Sequence, residues 1–227
     1  MAMIQFPLIL FDGHPIIKSN DDIILIDTGA PNTIHIEESL NFGFKTYSCS
    51  IDAMGLTSSK LSELLGMKIT TLMGVDILAD YNILIDYKNE IIGFSDQELL
   101  IDGNEALLSS FMGIPIIELI VEDQKLNFFL DTGAKLSYLN TSVTNRHDSI
   151  GSIGDFYPGV GHFETDCFEI PTRFGESSFN VKYGNLPSIL QMTLMLGNTD
   201  GIIGFDFFNS FKLVLDLQNQ LLKYSNN

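Results

Sequence analysis

The sequence predicts a mostly β fold made of two related lobes on one chain. Three observations lead there: three sequence blocks that occur twice in the same order, apolar segments that are short and bounded by turn residues, and few helix signals. The first block, Phe11-x-Gly13-x-Pro15-Ile16-Ile17, returns as Phe111-x-Gly113-x-Pro115-Ile116-Ile117, an offset of 100. The second, Ile26-Asp27-Thr28-Gly29-Ala30, returns as Leu130-Asp131-Thr132-Gly133-Ala134, an offset of 104. The third runs from Leu72-Met73-Gly74-Val75-Asp76 and returns as Ile202-Ile203-Gly204-Phe205-Asp206; at an offset of 130 it continues ungapped to Ser95 and Ser225. Equivalent blocks in equivalent order imply two copies of one structural unit, which a pseudo-twofold axis can relate.

The offsets also say where the copies differ. Four extra residues of the second copy fall within 121–127, where a longer hairpin tip would absorb them, and 26 more fall between its second and third blocks. The turn signal Asp102-Gly103-Asn104, inside 97–108, is where one copy ends and the next begins. The expected lobes are therefore 1–100 and 101–227.

Residues 1–11 read as a first strand, since they lack a basic leading region and a small-residue cleavage site and run into Asp12-Gly13 turn chemistry. Strands are expected at 23–26, 33–36, 47–51 and 82–87, then at 128–130, 136–139, 167–170, 179–183 and 212–217. Helix is expected at 58–65 and in a short turn after each Gly-x-Asp, with Asp76 and Asp206 placed as N-caps. Asp86 and Asp216 fit strand-end turns.

The chain has 227 residues, 45% hydrophobic and 18% charged, enough apolar material to build a core. Its net charge of −17 would repel phosphate backbones and anionic bilayers, so neither nucleic acid nor membrane is expected as a partner. No apolar run is long enough to span a bilayer, and a soluble, cytoplasmic protein is expected. Cys49 and Cys167 form no C-x-x-C motif, though one bridge between them stays open. The four histidines, at 14, 35, 147 and 162, lack metal-ligand spacing and read as surface or loop residues, so neither a metal site nor a cofactor is expected.

An aspartate followed by Thr and Gly at the end of an apolar strand is a carboxylate placed where the chain turns. One copy would suit a turn or a helix cap. Two copies at equivalent positions can meet across the axis, and two adjacent carboxyls cannot both ionise, so they share a proton. The ionised member can then act as general base on a water while the protonated member donates to the carbonyl under attack, hydrolysing an amide without a covalent intermediate. The shared-proton dyad of aspartic proteases is a standard instance of this coupling.

On these blocks the sequence resembles the aspartic proteases, in particular the retropepsin-like and pepsin-like families. The resemblance implies a pepsin-like (acid protease) fold of two pseudo-twofold-related, β-barrel-like lobes. It makes Asp27 and Asp131 the catalytic pair, has Thr28 and Thr132 interlock across the axis, and lets the amides of Gly29 and Gly133 reach the carboxylates. Ala30 and Ala134 follow, as is usual in retropepsins; without a hydroxyl donor there, the dyad is expected to titrate higher, with activity nearer neutral pH than a pepsin's. The substrate implied is a peptide or protein segment in extended conformation, and with both motifs on one chain a monomer is expected.

These families cover a bound peptide with a flap. Phe156-Tyr157-Pro158-Gly159-Val160-Gly161 in the second copy reads either as that flap tip, with Tyr157 over the cleft, or as a plain Pro-Gly turn with a packed aromatic. The first copy offers no counterpart, so one flap is expected. Lys135 directly follows the second motif; pointing inward it would hold both aspartates ionised, and the expectation is that it points to solvent. An active endopeptidase is the leading reading. The alternative is a catalytically silent peptide-binding module on the same fold, which retaining two costly buried carboxylates disfavours.

Overall fold

The structure, a computed structural model, describes residues 3–157 and 160–227, and of Ile189 the backbone alone. Each sequence copy builds a sheet with the same order of parts. In the first, Ile9–Phe11, His14–Ser19, Asp22–Ile26, Thr71–Met73 and Ile34–His35 lie side by side. In the second, Ser109–Phe111, Ile114–Val121, Gln124–Leu130, Gly201–Ile203 and Ser137–Leu139 repeat that order, and the sheet continues through Ser177–Gly184 and Gly161–Phe174 to Gly151–Tyr157.

The strand that ends in each motif is apolar on both faces because both faces are covered. Ile24 and Ile26 enter a core shared by the two halves while Leu25 enters a cluster of the first half; Phe128 and Leu130 enter the shared core while Phe129 enters a cluster of the second. The strand period of two therefore sends alternate side chains to different cores. Each fully buried side chain is worth about 1.5–3 kcal/mol relative to exposure. Both motif strands pair in parallel with the third-block strand, Ile26 with Met73 and Leu130 with Ile203. A parallel pair needs a crossover, so everything between the second and third blocks is one long connection, free to differ in length between the copies.

A third sheet of six strands takes three from each copy, in the order Ile4–Pro7, Ile91–Ser95, Asn82–Asp86, Phe211–Asp216, Leu221–Asn226, Asn104–Leu107. At its centre Leu213 pairs with Ile85, Val214 with Leu84 and Leu215 with Ile83. Leu84 and Val214 are equivalent at the offset of 130, so the pseudo-twofold axis passes between these two residues.

Most expected elements form, with changes at their ends. The helix is Ser58–Leu65; the Thr57 side chain accepts from the Lys60 amide, and Gly66 closes it in the left-handed conformation. The four extra residues do not lengthen a hairpin tip. That tip is the two-residue turn Glu122-Asp123, both with positive φ, and the added length goes two residues into each strand: Ile114–Val121 and Gln124–Leu130 have eight and seven residues, where His14–Ser19 and Asp22–Ile26 have six and five. Gly74 and Gly204, not Asp76 and Asp206, are the N-caps of the short helices. Asp76 sits in the first turn and holds Thr33 by backbone and hydroxyl, while Asp206 accepts from the Lys182 amide. Asp86 and Asp216 both cap their turns, accepting from Asn89 and Asn219.

The helix Ser188–Leu196 was not foreseen, because it has no side-chain cap and carries no charge. Cys49 and Cys167 are unpaired. His14 and His35 are buried rather than on the surface, bonded to the Phe11 carbonyl and to the Thr71 hydroxyl. Among the described residues no helix is long and apolar enough to cross a membrane.

Candidate active site

The two Asp-Thr-Gly-Ala segments are tight loops hung from equivalent bonds. The Asp27 and Asp131 amides donate to the Met73 and Ile203 carbonyls, each at 3.0 Å. The Val75 and Phe205 amides donate to Ala30 and Ala134 at 2.9 and 3.0 Å, so the third block of each copy holds its own motif loop. Hydroxyls secure the crossing: Thr33 Oγ1 and Ser137 Oγ accept from the amides of Gly74 and Gly204, each at 3.0 Å.

The threonines join the loops across the axis. The Thr28 amide donates to Thr132 Oγ1 at 3.0 Å, and the Thr132 amide to Thr28 Oγ1 at 2.9 Å. Each hydroxyl in turn donates to the opposite motif strand, Thr28 to the Leu130 carbonyl and Thr132 to the Ile26 carbonyl, both at 2.7 Å. All four bonds are buried, and the amide and hydroxyl of each threonine are satisfied.

This junction brings the aspartates face to face. The Gly29 and Gly133 amides donate to Oδ1 of Asp27 and of Asp131, at 2.9 and 2.8 Å. Each carboxyl also lies against the other loop's glycine: a Cβ on Gly29 would fall 2.3 Å from the Asp131 carboxyl carbon, and one on Gly133 would fall 2.7 Å from that of Asp27. Glycine is required at both positions by this approach. The carboxyl groups are within hydrogen-bonding reach of one another and half-buried.

Burial raises both pKa values, Asp27 to about 6 and Asp131 well above the usual carboxylate range. After burial, the neighbouring negative charge of Asp27 is what pushes Asp131 further. The glycine amides oppose the rise in both. The pair thus holds one proton over a range of pH.

The hairpin Gly151–Tyr157 and Gly161–Phe174 occupies the insertion of the second copy. Tyr157 packs against the second-half cluster, and burial together with the charges of Asp131 and Asp27 raises its pKa, which puts its phenol within range of both carboxylates. Val160 is exposed near the tip, its amide bonded to the Tyr157 carbonyl at 3.0 Å, and Gly161 opens the return strand with φ of 87°. Pro158 and Gly159 lie outside the described residues. The first half has a hairpin too, Ser39–Phe42 with Lys45–Ser48, but Leu40 and Phe42 bury it in the shared core.

Lys135 points neither into the dyad nor freely to solvent. Its ammonium is 2.9 Å from Asp12 Oδ2 in the first half and 4.0 Å from Asp155 Oδ1 on the hairpin, and its side chain is 18% exposed. Sequence reasoning also missed Thr33 and Ser137, although both are hydroxyl residues at the same offset of 104 as the motifs. Tyr87 gave no such signal, since its equivalent is Leu217. It is buried between Phe205 and Phe208, its phenol kept protonated by burial and the two aspartate charges, and among the described residues its hydroxyl has no hydrogen-bond partner.

No family model and no curated protein matches the chain. Among solved structures, the aspartic proteinase from Irpex lacteus is similar over 100% of this chain and 98% of its own, at 11% identity and a TM-score of 0.52. A retropepsin-like aspartic protease from Rickettsia conorii matches 56% of this chain and 95% of its own, at 16% identity and a TM-score of 0.39. The EIAV protease complexed with the inhibitor HBY-793 matches 41% of this chain and 84% of its own, at 23% identity and a TM-score of 0.32. The whole-length likeness and the mostly β topology give the chain the pepsin-like aspartic protease fold.

Proposed function

We propose that this chain is an aspartic endopeptidase that hydrolyses peptide bonds in extended protein segments, acting as a monomer with Asp27 and Asp131 as its catalytic pair. One observation carries the reading: two carboxyl groups in hydrogen-bonding reach, each seated on the other's glycine, with both pKa values raised by burial so that the pair can share one proton. A peptide-binding cleft needs no such arrangement, and burying it is costly.

With one proton on the pair, one aspartate serves as base and the other as acid. Asp27, as the ionised member, takes a proton from a water as the water's oxygen attacks the peptide carbonyl carbon, and Asp131 donates its proton to the carbonyl oxygen. The tetrahedral diol then collapses: the C–N bond breaks, the nitrogen receives a proton through Asp27, and a diol hydroxyl returns one to Asp131. Water is consumed, a carboxylic acid and an amine are released, and the dyad regains its single proton. The hairpin bearing Tyr157, Val160 and Gly161 would cover an extended peptide and add backbone hydrogen bonds to it.

The test is digestion of a proteome-derived peptide library from about pH 3 to 8, read by mass spectrometry, comparing the protein with Asp131→Asn. Cleavage should rise as pH passes through about 6, where Asp27 ionises, and fall again at higher pH when Asp131 loses its proton. The variant should lose at least about a thousandfold in rate. A blank result from both proteins, with the variant folded, would replace this reading with the peptide-binding module.

A further inference from the structure

We propose that Lys135 and Asp155 are positioning residues. With Asp12 and His14 they form a cross-lobe latch that seats the second-half hairpin on the first half through Phe156, and so set how firmly a peptide is held. The proposal rests on the reading of the cleft as a peptide-cleaving site and deepens it.

The hairpin strand Gly151–Tyr157 distributes three successive side chains to three places. Asp155, 6% exposed, accepts from the Tyr138 hydroxyl in the second half and from the Phe156 amide at 2.8 Å. Phe156 belongs to the second copy but packs against the first-half cluster that contains Ile16 and Leu25, and it stacks on the His14 ring at 5.8 Å and 22°. Tyr157 turns back to the second-half cluster. His14 is fixed for this contact by its bond to the Phe11 carbonyl, in the turn that also carries Asp12.

Lys135 closes the arrangement. It stands four residues after Asp131, with its ammonium between Asp12 of the first half, at 2.9 Å, and Asp155 of the hairpin, at 4.0 Å. One cation therefore ties the segment that follows Asp131, the hairpin and the opposite half.

The duplication itself indicates that these charges are not demanded by the fold. The backbone approach is symmetric: Gly13 lies against Lys135 and Phe205, and Gly113 lies against Val75, the equivalent of Phe205. The side chains are not. The equivalents of Asp12 and Lys135 are Met112 and Pro31, which pair with nothing ionic, and the polar cluster occurs on the side where the hairpin lands. An exposed ion pair would contribute little, but Asp155 and the greater part of Lys135 are out of water, where losing a partner leaves a charge uncompensated.

The experiment is hydrogen exchange of backbone amides 151–157 and 161–167 in the free protein, joined to steady-state kinetics on a peptide it cleaves. Lys135→Met should raise exchange of those amides about tenfold and raise KM about tenfold, with kcat within about twofold. Lys135→Arg should restore both values. Lys125→Met, which breaks the exposed ion pair with Glu118 elsewhere in the same half, should change neither. Asp12→Asn, at the exposed end of the latch, gives the same readout if Lys135→Met does not fold. Unchanged hairpin exchange in both latch variants overturns the latch, whatever the peptidase result. Raised exchange in a protein that cleaves no peptide keeps the latch and overturns the peptidase reading.

Discussion

Asp27 and Asp131 occupy equivalent positions, and burial raises the pKa of both, which has a consequence for stability. An acid whose folded pKa is raised favours folding while it is protonated and loses that advantage as pH rises through the folded value. For Asp27 the loss begins above the ordinary carboxylate value of 3.8 and is complete once pH exceeds about 6. At neutral pH the fold therefore bears the cost of an ionised, half-buried carboxylate. Asp27→Asn should abolish cleavage and yet stabilise the protein by about 1–2 kcal/mol near neutral pH, a gain that shrinks to nothing as pH falls below about 4. Urea unfolding across that range checks it; a variant less stable than the parent at neutral pH would contradict the desolvation account. Both catalytic candidates were legible in the sequence because their motif is written twice at one spacing. Burial is the leading cause of the raised pKa of both aspartates, and the backbone amides of Ala30 and Ala134 oppose it.

The elements that matter most are the two motif loops, which are stable only as a pair. Each threonine hydroxyl bonds one backbone group and accepts from another across the axis, so removing it orphans the partner amide and a strand carbonyl together. Thr28→Val, which keeps shape but not the hydroxyl, should cost about 2–4 kcal/mol, and Thr28→Ser under about 1.5 kcal/mol. Denaturant titration of both variants measures the difference, and equal losses would show that methyl packing rather than the bonds joins the loops. That the second copy carries a glycine-rich insertion was readable, and which surfaces its hairpin packs against was not. Alternating residues of one short strand go to opposite halves, a pattern that depends on which surfaces lie beside it. Helix Ser188–Leu196 escaped notice for a related reason: its order comes from Leu190 and Leu194 packing on the second-half cluster, not from caps or charge pairs.

At the scale of the molecule, the central pairing of Leu84 with Val214 and the shared core make each half incomplete alone. We propose a lobe boundary between residues 100 and 101. Fragments 1–100 and 101–227 should each aggregate or stay unfolded by themselves, since each would expose an unpaired strand and half of the shared core. Mixed, they should assemble one-to-one and regain the β signature, as read by light scattering and circular dichroism; a folded, monomeric single fragment would contradict the shared-core account. By itself the sequence determined that the chain is a duplication, that its parts are strands, and that two identical acidic loops occupy equivalent places. It could do so because repetition, a period of two and turn residues are local properties, readable without knowing what lies nearby. Only the tertiary structure decided that Lys135 bridges the halves instead of facing solvent, that Asp76 holds Thr33 instead of capping a helix, and that His14 is buried. Each of these depends on residues more than 40 positions apart in the chain and on how much water remains between them, and a one-dimensional pattern carries neither quantity.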